Sequence, residues 1–321
     1  MNIKLLYLTA VLSFLIPNAG ANAQEYPTRT ITIVAGYPAG TPVDTIARVI
    51  AGKLAERMGQ AVIVDNKPGA GSSIGAASVA RSSPDGYTLY LSSIANTTNP
   101  SFNKLTFDFA KDLVPISQVC DVPVLAVVPP SGPSSIQDLI DQAKKKPGNF
   151  TFGSSGSGTA THLFAELFAN ETGIKLMHVP YKGSSQAVVD LLEGRIQIMF
   201  SPAGTVLPHI KTGKLRALAV SGLHRLPDLP DVPTFVEKGV KQLNFSLWFG
   251  LNAPAGTPAS VIAKLNKEVS AVLELPDVRA KLIPQLIFPV STSSEAFGEF
   301  IRQDLARWDR VVKDAGIKPE N

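Results

Sequence analysis

Thr30-Ile-Thr-Ile-Val34 alternates polar and β-branched apolar side chains, which is the pattern of a half-buried β-strand. Residues 36–40, which follow, form a tight turn that contains two glycines. Thr41 and Pro42 have the residue types that begin a helix, with Thr41 as the N-cap and Pro42 at the first helical position. Apolar residues then recur at helical spacing, so we expect one face of this helix to pack on the strand.

The rest of the first hundred residues repeats this alternation of strand and helix. A second strand is predicted at 61–64, a helix of small residues at 73–80 and a third strand at 87–91. The order β-α-β-α-β indicates a parallel sheet covered by helices. Ligands of such open sheets bind at the carboxyl ends of the strands, so the loops after Val34 and Leu91 are candidate binding loops.

A second α/β unit follows, with strands predicted at 149–153, 175–179, 195–200 and 215–220. Two apolar extended segments, 116–128 and 245–251, flank it. If both segments cross between two lobes, the middle residues form one lobe and the two ends of the chain form the other, with a cleft between them. Two domains in sequential order fit the same segmentation, so the pattern alone leaves both layouts open.

Composition narrows the classes of function. The 321 residues allow about two domains, and 45% hydrophobic with 17% charged residues is typical of a folded protein. The net charge of +4 comes from scattered residues rather than basic runs, so we expect no nucleic-acid partner. Cys120 is the single cysteine, and no two of the four histidines share one helix face, so neither a disulfide nor a metal site is predicted.

Residues 1–23 have the three parts of an export signal. Lys4 precedes an apolar run that ends at Ile16, and Ala21-Asn22-Ala23 matches a cleavage site. We therefore expect cleavage after Ala23 and an exported mature chain. The apolar run is too short to span a bilayer comfortably, and the alternative interpretation is a buried first helix.

The strongest local signal is the loop 154–161, where hydroxyl side chains and glycine amides come together at the start of a helix. The free N–H groups and partial positive charge of a helix N-terminus suit a carboxylate or a phosphate. A plain capping loop fits the composition equally well. We expect His162, in the first turn, to order the loop rather than to act as a base. The candidate ligand-binding residues here are Ser154, Ser155, Ser157, Gly158, Thr159 and His162.

Three further polar loops follow predicted strands, at 37–41, 92–97 and 201–204. These loops supply backbone donors, small polar side chains and one aromatic side chain that could cover a ligand. Because these loops are mostly uncharged, they favour a binding pocket over a reaction centre. The candidate residues are Tyr37, Pro38, Ala39, Gly40, Thr41, Ser93, Asn96 and Ser201.

Enzymatic signatures are missing from the sequence. It contains no dinucleotide-binding glycine motif, no phosphate-binding loop with its lysine and no nucleophile elbow. We therefore predict no cofactor and no catalytic residue. The rival hypothesis is a secreted serine hydrolase that uses Ser157 and His162, for which a carboxylate must also orient the histidine.

Short motifs occur along the chain in a characteristic order: Tyr-Pro-Thr-Arg-Thr-Ile at 26–31, Pro-Ala-Gly-x-x-x-Asp at 38–44, Asp-Asn-Lys-Pro-Gly-Ala-Gly at 65–71, Pro-Asp-Gly-Tyr-Thr-Leu at 84–89, His-Val-Pro-Tyr-Lys-Gly at 178–183, Leu-Arg-Ala-Leu-Ala-Val at 215–220, Pro-Asp-Val-Pro-Thr at 230–234 and Ala-Pro-Ala-Gly-Thr-Pro at 253–258. In this order they resemble the extracytoplasmic solute receptors of the tripartite tricarboxylate transporter (Bordetella uptake gene) family. The resemblance covers essentially the whole mature chain.

The resemblance implies an α/β, two-lobed periplasmic binding protein fold of type II, with two crossover strands and an interlobe cleft. Residues 24–122 and 246–321 would form the first lobe and residues 123–245 the second. The loop 37–41 would hold a ligand carboxylate through backbone groups and bridging waters, and the loop 154–159 would complete the grip. The distal, specificity-setting part of the pocket would draw on Ser93, Asn96 and Ser201.

The sequence departs from the family pattern where Ala39-Gly40-Thr41 replaces the usual Pro-Gly-Gly, which restricts the backbone at one position. The implied role is capture of a small organic carboxylate in the periplasm by a monomeric receptor, for the permease subunits of a membrane transporter. A membrane sensor is the alternative partner. The polar loops fit a dicarboxylate, an amino acid or an aromatic acid.

Overall fold

A computed structural model describes residues 26–314, so the predicted leader, residues 1–23, and its cleavage site lie outside the described residues. The strands are β1 (Ile31–Ala35), β2 (Val62–Asn66), β3 (Thr88–Ser93), β4 (Leu113–Val122), β5 (Val124–Val128), β6 (Phe150–Ser154), β7 (Leu176–Pro180), β8 (Ile198–Pro202), β9 (Arg216–Val220), β10 (Leu247–Pro254) and β11 (Phe288–Pro289). The α-helices are α1 (Pro42–Met58), α2 (Ser73–Ala80), α3 (Ala95–Thr98), α4 (Phe109–Asp112), α5 (Ile136–Lys145), α6 (Ala160–Thr172), α7 (Ser184–Leu192), α8 (Ala203–Lys211), α9 (Ala259–Leu273), α10 (Pro276–Leu282) and α11 (Ser294–Asp314). Within residues 26–314, no helix is long and apolar enough to cross a membrane.

The start of α1 confirms the sequence prediction. Thr41 is extended, with φ of −80° and ψ of 162°, and its hydroxyl accepts the N–H of Asp44 at 3.4 Å. Pro42 occupies the first helical position. Gly59 follows the last helical residue as the C-cap, and its φ of 67° lies in the left-handed region that glycine adopts without strain. The apolar face of α1, including Ile50, is buried in the core.

The first sheet has six strands in the order β11-β4-β10-β3-β1-β2. β1 pairs in parallel with both β2 and β3, as the β-α-β-α-β order predicted. β10 lies antiparallel between β3 and β4, and helices α9 and α11 pack on β4. The first sheet therefore combines strands from both ends of the chain.

The second sheet has five strands in the order β7-β6-β8-β5-β9. β6 is parallel to β7 and β8, whereas β5 is antiparallel to β8 and β9. Helix α6 covers one face through an aromatic cluster whose rings lie 5.2 to 6.3 Å apart, namely Phe164, Phe168, Phe200 and Phe235. Every strand of this sheet comes from the middle of the chain.

The expected extended segment 116–128 is two strands rather than one. β4 ends at Val122 in the first sheet and β5 begins at Val124 in the second, so the chain crosses between the sheets at Pro123. Proline has no N–H to donate to a strand ladder, which suits a break between two sheets. The chain returns at β10, whose first residue, Leu247, pairs with Val122. The two sheets are therefore interleaved in the chain rather than sequential.

The strand directions place the candidate loops at the edges where the sheets meet. In the first sheet β3 and β4 are both antiparallel to β10, so β1, β3 and β4 run the same way and end near the crossing. In the second sheet β5 starts at the crossing and β8 is antiparallel to it, so β8 and its parallel neighbour β6 end there. The carboxyl ends of β1, β3, β6 and β8 therefore share the crossing edge, where ligands of such sheets bind.

One C-terminal segment packs against the second sheet rather than the first. Leu286, which follows the 3₁₀ turn Ile283–Gln285, is fully buried in the cluster that contains Leu125 and Val127 of β5. β11, immediately after it, pairs with β4 of the first sheet. Residues 283–289 therefore contact both sheets beside the crossing.

Candidate ligand-binding site

The loop between β6 and α6 is shaped by its own hydrogen bonds. The N–H of Ser155 donates to Thr161 Oγ1 at 2.9 Å. The N–H of Gly156 donates to Ser154 Oγ at 3.1 Å, and its carbonyl accepts the Thr159 N–H at 3.2 Å and the Thr159 hydroxyl at 2.6 Å. Ser154, Ser155 and Thr159 thus use these polar groups to fix the loop.

Two kinds of donor remain at the start of α6. The Ser157 hydroxyl oxygen is buried and has no hydrogen-bond partner among residues 26–314. In the same part of the chain no acceptor meets the N–H groups of the first helical turn, those of Ala160, Thr161 and His162. This turn contains no acidic residue, so the positive end of the helix dipole is not compensated there. The start of α6 can therefore donate several hydrogen bonds to an anion.

Two stacked histidines support this loop. The ring centroids of His162 and His178 are 3.9 Å apart with an interplanar angle of 8°, and Phe152 stacks on His178 at 4.8 Å. His162 Nδ1 accepts the Gly158 N–H at 3.0 Å. His178 Nε2 lies 2.7 Å from the hydroxyl oxygen of Ser154. Through these contacts each imidazole holds one end of the loop.

The loop of the first sheet contains a carboxylate of its own. The Gly40 N–H, which we expected to face a ligand, donates instead to Asp44 Oδ2 at 3.0 Å. Asp44 also accepts Arg48 Nε at 2.9 Å and Asn66 Nδ2 at 3.0 Å. The bond from the Arg48 guanidinium lowers the pKa of this carboxyl to about 2. Because Asp44 is an anion in the first turn of α1, it compensates the positive end of that helix.

The other residues of this loop lie beside the end of β3. The Tyr37 hydroxyl oxygen is 3.2 Å from Ser93 Oγ, and burial raises the pKa of Tyr37, so this hydroxyl stays neutral. Pro38 and Ala39 are exposed, and the Thr41 hydroxyl donates to the Pro38 carbonyl at 2.8 Å. The structure thus brings Tyr37 and Ser93 together and leaves the tip of the loop in solvent.

Asn96 and Ser201 are buried with their polar groups directed to the protein. Asn96 Oδ1 accepts the Ser93 N–H at 2.9 Å, while its amide nitrogen donates to the Tyr90 hydroxyl at 3.0 Å and to Ser72 Oγ at 3.3 Å. Only 1% of Asn96 is exposed. The Ser201 hydroxyl donates to the next carbonyl of the chain at 3.3 Å. In this structure Asn96 holds the backbone of Ser93 in place.

Sequence reasoning missed Ser72 and His178, which shape the two loops, and it placed Thr161 in the second loop without assigning it a role. A Cβ at Gly36 would lie 2.5 Å from the Cβ of Ser72, so the loop before α2 packs directly on the end of β1. Thr161 and His178 act through contacts with residues up to 24 positions away in sequence. For His178 the only sequence signal was the motif at 178–183.

The serine and histidine of the hydrolase hypothesis are not paired. Ser157 Oγ has no partner in the described part of the chain, His162 Nδ1 accepts a backbone N–H, and His162 Nε2 lies 3.6 Å from Glu166 Oε1. Ser154 does contact His178, but Ser154 is fully buried, so a substrate carbonyl cannot reach its hydroxyl.

Residues 26–314 contain two grooves but no metal-binding cluster. No group of three or more histidine, cysteine, aspartate or glutamate residues within 26–314 could hold a metal ion. One groove of about 390 Å³ lies between α6 and α11, and another of about 400 Å³ lies beside Tyr26 and Lys264. Neither groove contains a predicted site residue.

Comparison with known proteins adds the family. The family model described as "Tripartite tricarboxylate transporter family receptor" matches residues 46–317. The chain belongs to this receptor family. Protein BugT of Bordetella pertussis is 37% identical over 97% of this chain and 98% of its own length. The resemblance inferred from the short motifs is therefore confirmed.

Solved structures of family receptors share the fold. The protein Rpa4515 of R. palustris, solved with adipate, is 34% identical, has a TM-score of 0.82 and covers 92% of this chain and 100% of its own. MatC from Rhodopseudomonas palustris, solved with bound malate, is 29% identical, has a TM-score of 0.78 and covers 89% of this chain and 100% of its own. The predicted two-lobed type II periplasmic binding protein fold is thus confirmed. Members of the family are substrate-binding receptors rather than enzymes.

Proposed function

We propose that this receptor captures a small organic carboxylate in the periplasm and presents it to the membrane subunits of a tripartite transporter. The family supports the transporter class, and the adipate and malate bound to two relatives support the ligand class. Cleavage after Ala23 would release a soluble monomer into the periplasm.

The observation that carries the proposal is the difference between the two helix starts. Helix α6 begins with a buried, unpartnered Ser157 hydroxyl and a first turn without acidic residues. The first turn of helix α1 contains Asp44, which already accepts the Gly40 N–H. A ligand carboxylate therefore binds at the start of α6, where donors are available and no negative charge opposes it.

The first lobe would close over the rest of the ligand. Tyr37 and Ser93 offer adjacent hydroxyls at the end of β3, and Thr41 offers a backbone N–H with no acceptor among residues 26–314. Pro38 and Ala39 would line the rim, and Asn96 and Ser201 would shape the distal wall. Because the predicted site residues include no lysine or arginine, the ligand is held by neutral donors without a buried ion pair.

We also propose the lobe boundaries that the motifs implied. Residues 24–122 and 246–321 would form the first lobe and 123–245 the second, with hinges at Pro123 and before β10. The change of sheet at Pro123 supports the first boundary. Rotation about two crossing strands opens and closes the shared edge, which is the motion that a capture-and-release receptor needs.

Calorimetry with a panel of carboxylates tests the proposal. The panel contains adipate, malate, other dicarboxylates, amino acids and aromatic acids, and at least one should bind with micromolar affinity or better. Ser157→Ala should weaken that binding about five-fold, which corresponds to one lost hydrogen bond. Ser134→Ala, at an exposed helix start away from the cleft, should bind like the wild type. Failure of the whole panel to bind ligand-free protein contradicts the proposal.

The membrane partner requires a separate measurement. Cross-linking of the ligand-loaded receptor in intact cells, followed by mass spectrometry, should recover integral membrane permease subunits. Recovery of a membrane signalling protein in their place would contradict the transport role and favour the sensor alternative.

A further inference from the structure

A short segment between α10 and β11 leaves the first sheet and enters the core of the second. Helix α10 is joined to α1 of the first sheet through Asp277, which lies 2.9 Å from Lys53 Nζ. Leu286 is fully buried in an apolar cluster whose other buried members all lie between residues 125 and 226. β11 then pairs with β4, back in the first sheet. Residues 283–287, which we call the plug, therefore insert a leucine from the C-terminal part of the chain into the second sheet's core.

The backbone of Leu286 is strained. Its φ of 55° and ψ of 35° lie in the left-handed region, which a bulky side chain rarely adopts. The Leu286 N–H donates to the Ile283 carbonyl at 2.8 Å, and the Ile287 N–H donates to the Leu282 carbonyl at 3.3 Å. Strained residues persist only where the surrounding structure holds them. Because the Leu286 side chain is buried in the second sheet's cluster, that burial compensates the strain.

The plug contacts the start of α8 so closely that no side chain fits between them. A Cβ at Gly204 would overlap the carbonyl oxygen of Gln285, so this position of α8 requires glycine. The N–H of the preceding residue, Ala203, donates at 2.8 Å to the carbonyl of Pro123, where the chain crosses between the sheets. The first turn of α8, which ends the candidate loop 201–204, is therefore held both by the crossing and by the plug.

The position of the plug allows it to stay docked while the cleft opens and closes. The strand order places β11 beside β4 and β4 beside β10, so the plug enters the second sheet next to the two crossings. Neighbouring strands lie about 5 Å apart, and β1 lies two strands beyond β10. A rotation about the crossings therefore displaces the plug less than it displaces the loop after β1. Three attachments in a row also oppose twisting of one sheet against the other.

We propose that Leu286 is a positioning residue for ligand capture. The docked plug is a third attachment between the two sheets, and it holds the start of α8 in the arrangement that the ligand needs. Without this attachment the two sheets sample more relative arrangements. Binding weakens in proportion as the binding-competent arrangement becomes a smaller fraction of the population. The affinity part of this inference rests on the proposed function, whereas the restriction of movement does not.

Pulsed electron spin resonance on the ligand-free protein tests the restriction of movement. Spin labels on Ser83→Cys and Lys144→Cys, at exposed positions before β3 and β6, report the distance between the two sheets at their ends away from the crossing. Labelling the chain without these added cysteines checks that the buried Cys120 stays unmodified. Leu286→Ala should broaden the distance distribution, whereas Leu265→Ala, which removes an equally buried leucine from α9, should leave its width unchanged. Equal widths in the wild type and in Leu286→Ala would overturn the proposal.

Gly204→Ala separates the plug from α8 without removing a buried side chain. Alanine favours a helix more than glycine does, so α8 itself is not weakened, and a broader distance distribution reports the lost contact with Gln285. Gly52→Ala, within α1 where a Cβ would meet nothing within 4 Å, is the matched control and should keep the wild-type width. A wild-type width in Gly204→Ala would overturn the role given to the contact between the plug and α8.

Calorimetry with adipate and malate tests the affinity part. Leu286→Ala and Gly204→Ala should each weaken binding by at least about five-fold, while Leu265→Ala and Gly52→Ala should change it by less than about two-fold. Tighter binding in either plug variant would mean that the docked plug opposes closure, and it would overturn this part. If neither carboxylate binds to the wild type, the proposed ligand class fails, while the distance distributions still decide the role of the plug.

Discussion

Asp44 Oδ2 accepts the N–H of Gly40 at 3.0 Å, so the first lobe provides an anion for its own helix start. The same carboxylate is bound by Arg48 and by Asn66, which also donates to the Tyr37 carbonyl at 3.0 Å. Asp44 therefore shapes the turn that carries Tyr37 beside Ser93. The two helix starts are therefore unequal, because Asp44 compensates the positive end of α1, whereas the first turn of α6 contains no acidic residue.

Asp44→Asn should lower the free energy of unfolding by about 1–3 kcal/mol at pH 7, because it removes a buried charge and weakens the hydrogen bonds that this charge accepts. The pKa of Asp44 is lowered from 3.8 to about 2, so the unfolded chain binds this proton more readily than the folded protein. The stabilisation is therefore complete above about pH 5 and is lost as the pH falls toward 2. Urea unfolding at several pH values measures it. Asp65→Asn, in an exposed pair with Lys67, is the control and should change the free energy of unfolding by less than about 0.5 kcal/mol. If both variants lost the same free energy of unfolding, the stabilising role of the buried Asp44 carboxylate would be contradicted.

Asp121→Asn should stabilise the protein at pH 7. Burial raises the pKa of Asp121 from 3.8 to about 6, although Gln118 Nε2 donates to it at 2.6 Å. The folded state binds this proton more tightly than the unfolded chain, so the group lowers stability as the pH rises from about 4 to 6. We expect the free energy of unfolding of the variant to exceed that of the wild type by about 1–2 kcal/mol at pH 7 and to equal it at pH 4, as measured by urea unfolding. A variant less stable than the wild type at pH 7 would refute this.

Asp304→Ala should be strongly destabilising. Asp304 is 1% exposed and accepts the Thr97 hydroxyl at 2.6 Å and Trp248 Nε1 at 2.9 Å, so it joins α11 to α3 and to β10. Removal of the Asp304 carboxylate leaves two buried donors unpaired and should lower the free energy of unfolding by about 3 kcal/mol, as measured by chemical denaturation. Asp309→Ala, in an exposed pair on the same helix, is the control and should cost less than about 0.5 kcal/mol. Similar losses in the two variants would show that Asp304 has no special role.

Cys120 should be unreactive in the native protein. The side chain lies on β4 with no exposed surface, and burial raises the pKa of its thiol. Because the thiolate is the nucleophile, a disulfide reagent at pH 8 should leave the thiol unmodified for hours and should modify it at once in urea. Rapid, complete modification of the folded protein would show that β4 opens readily beside the crossing.

Much of the fold was predictable because its signals are local. The N-cap of α1 and the parallel pairing of β1 follow from periodicity and capping residues a few positions apart. Helix α8 was missed because it contains Gly204 and Pro208, which are poor helix formers. The break at Pro123 was missed because both strands around it are apolar and extended.

The candidate site was predictable as a set of loops but not as a set of free donors. Asp44 belongs to the motif at 38–44, yet nothing local indicates that its carboxylate accepts the Gly40 N–H. The stacking of His162 on His178 joins α6 to β7 and depends on the pairing of β6 with β7. Which donors remain for a ligand is decided by such tertiary contacts, and these leave no pattern in the sequence.

A crystal structure with the tightest-binding carboxylate of the panel tests the central claim most directly. We predict one carboxylate oxygen about 2.7–3.2 Å from Ser157 Oγ and from a first-turn N–H of α6, with Asp44 still bonded to Gly40. A carboxylate bound at Gly40 in place of Asp44, with Ser157 out of reach, would contradict the account.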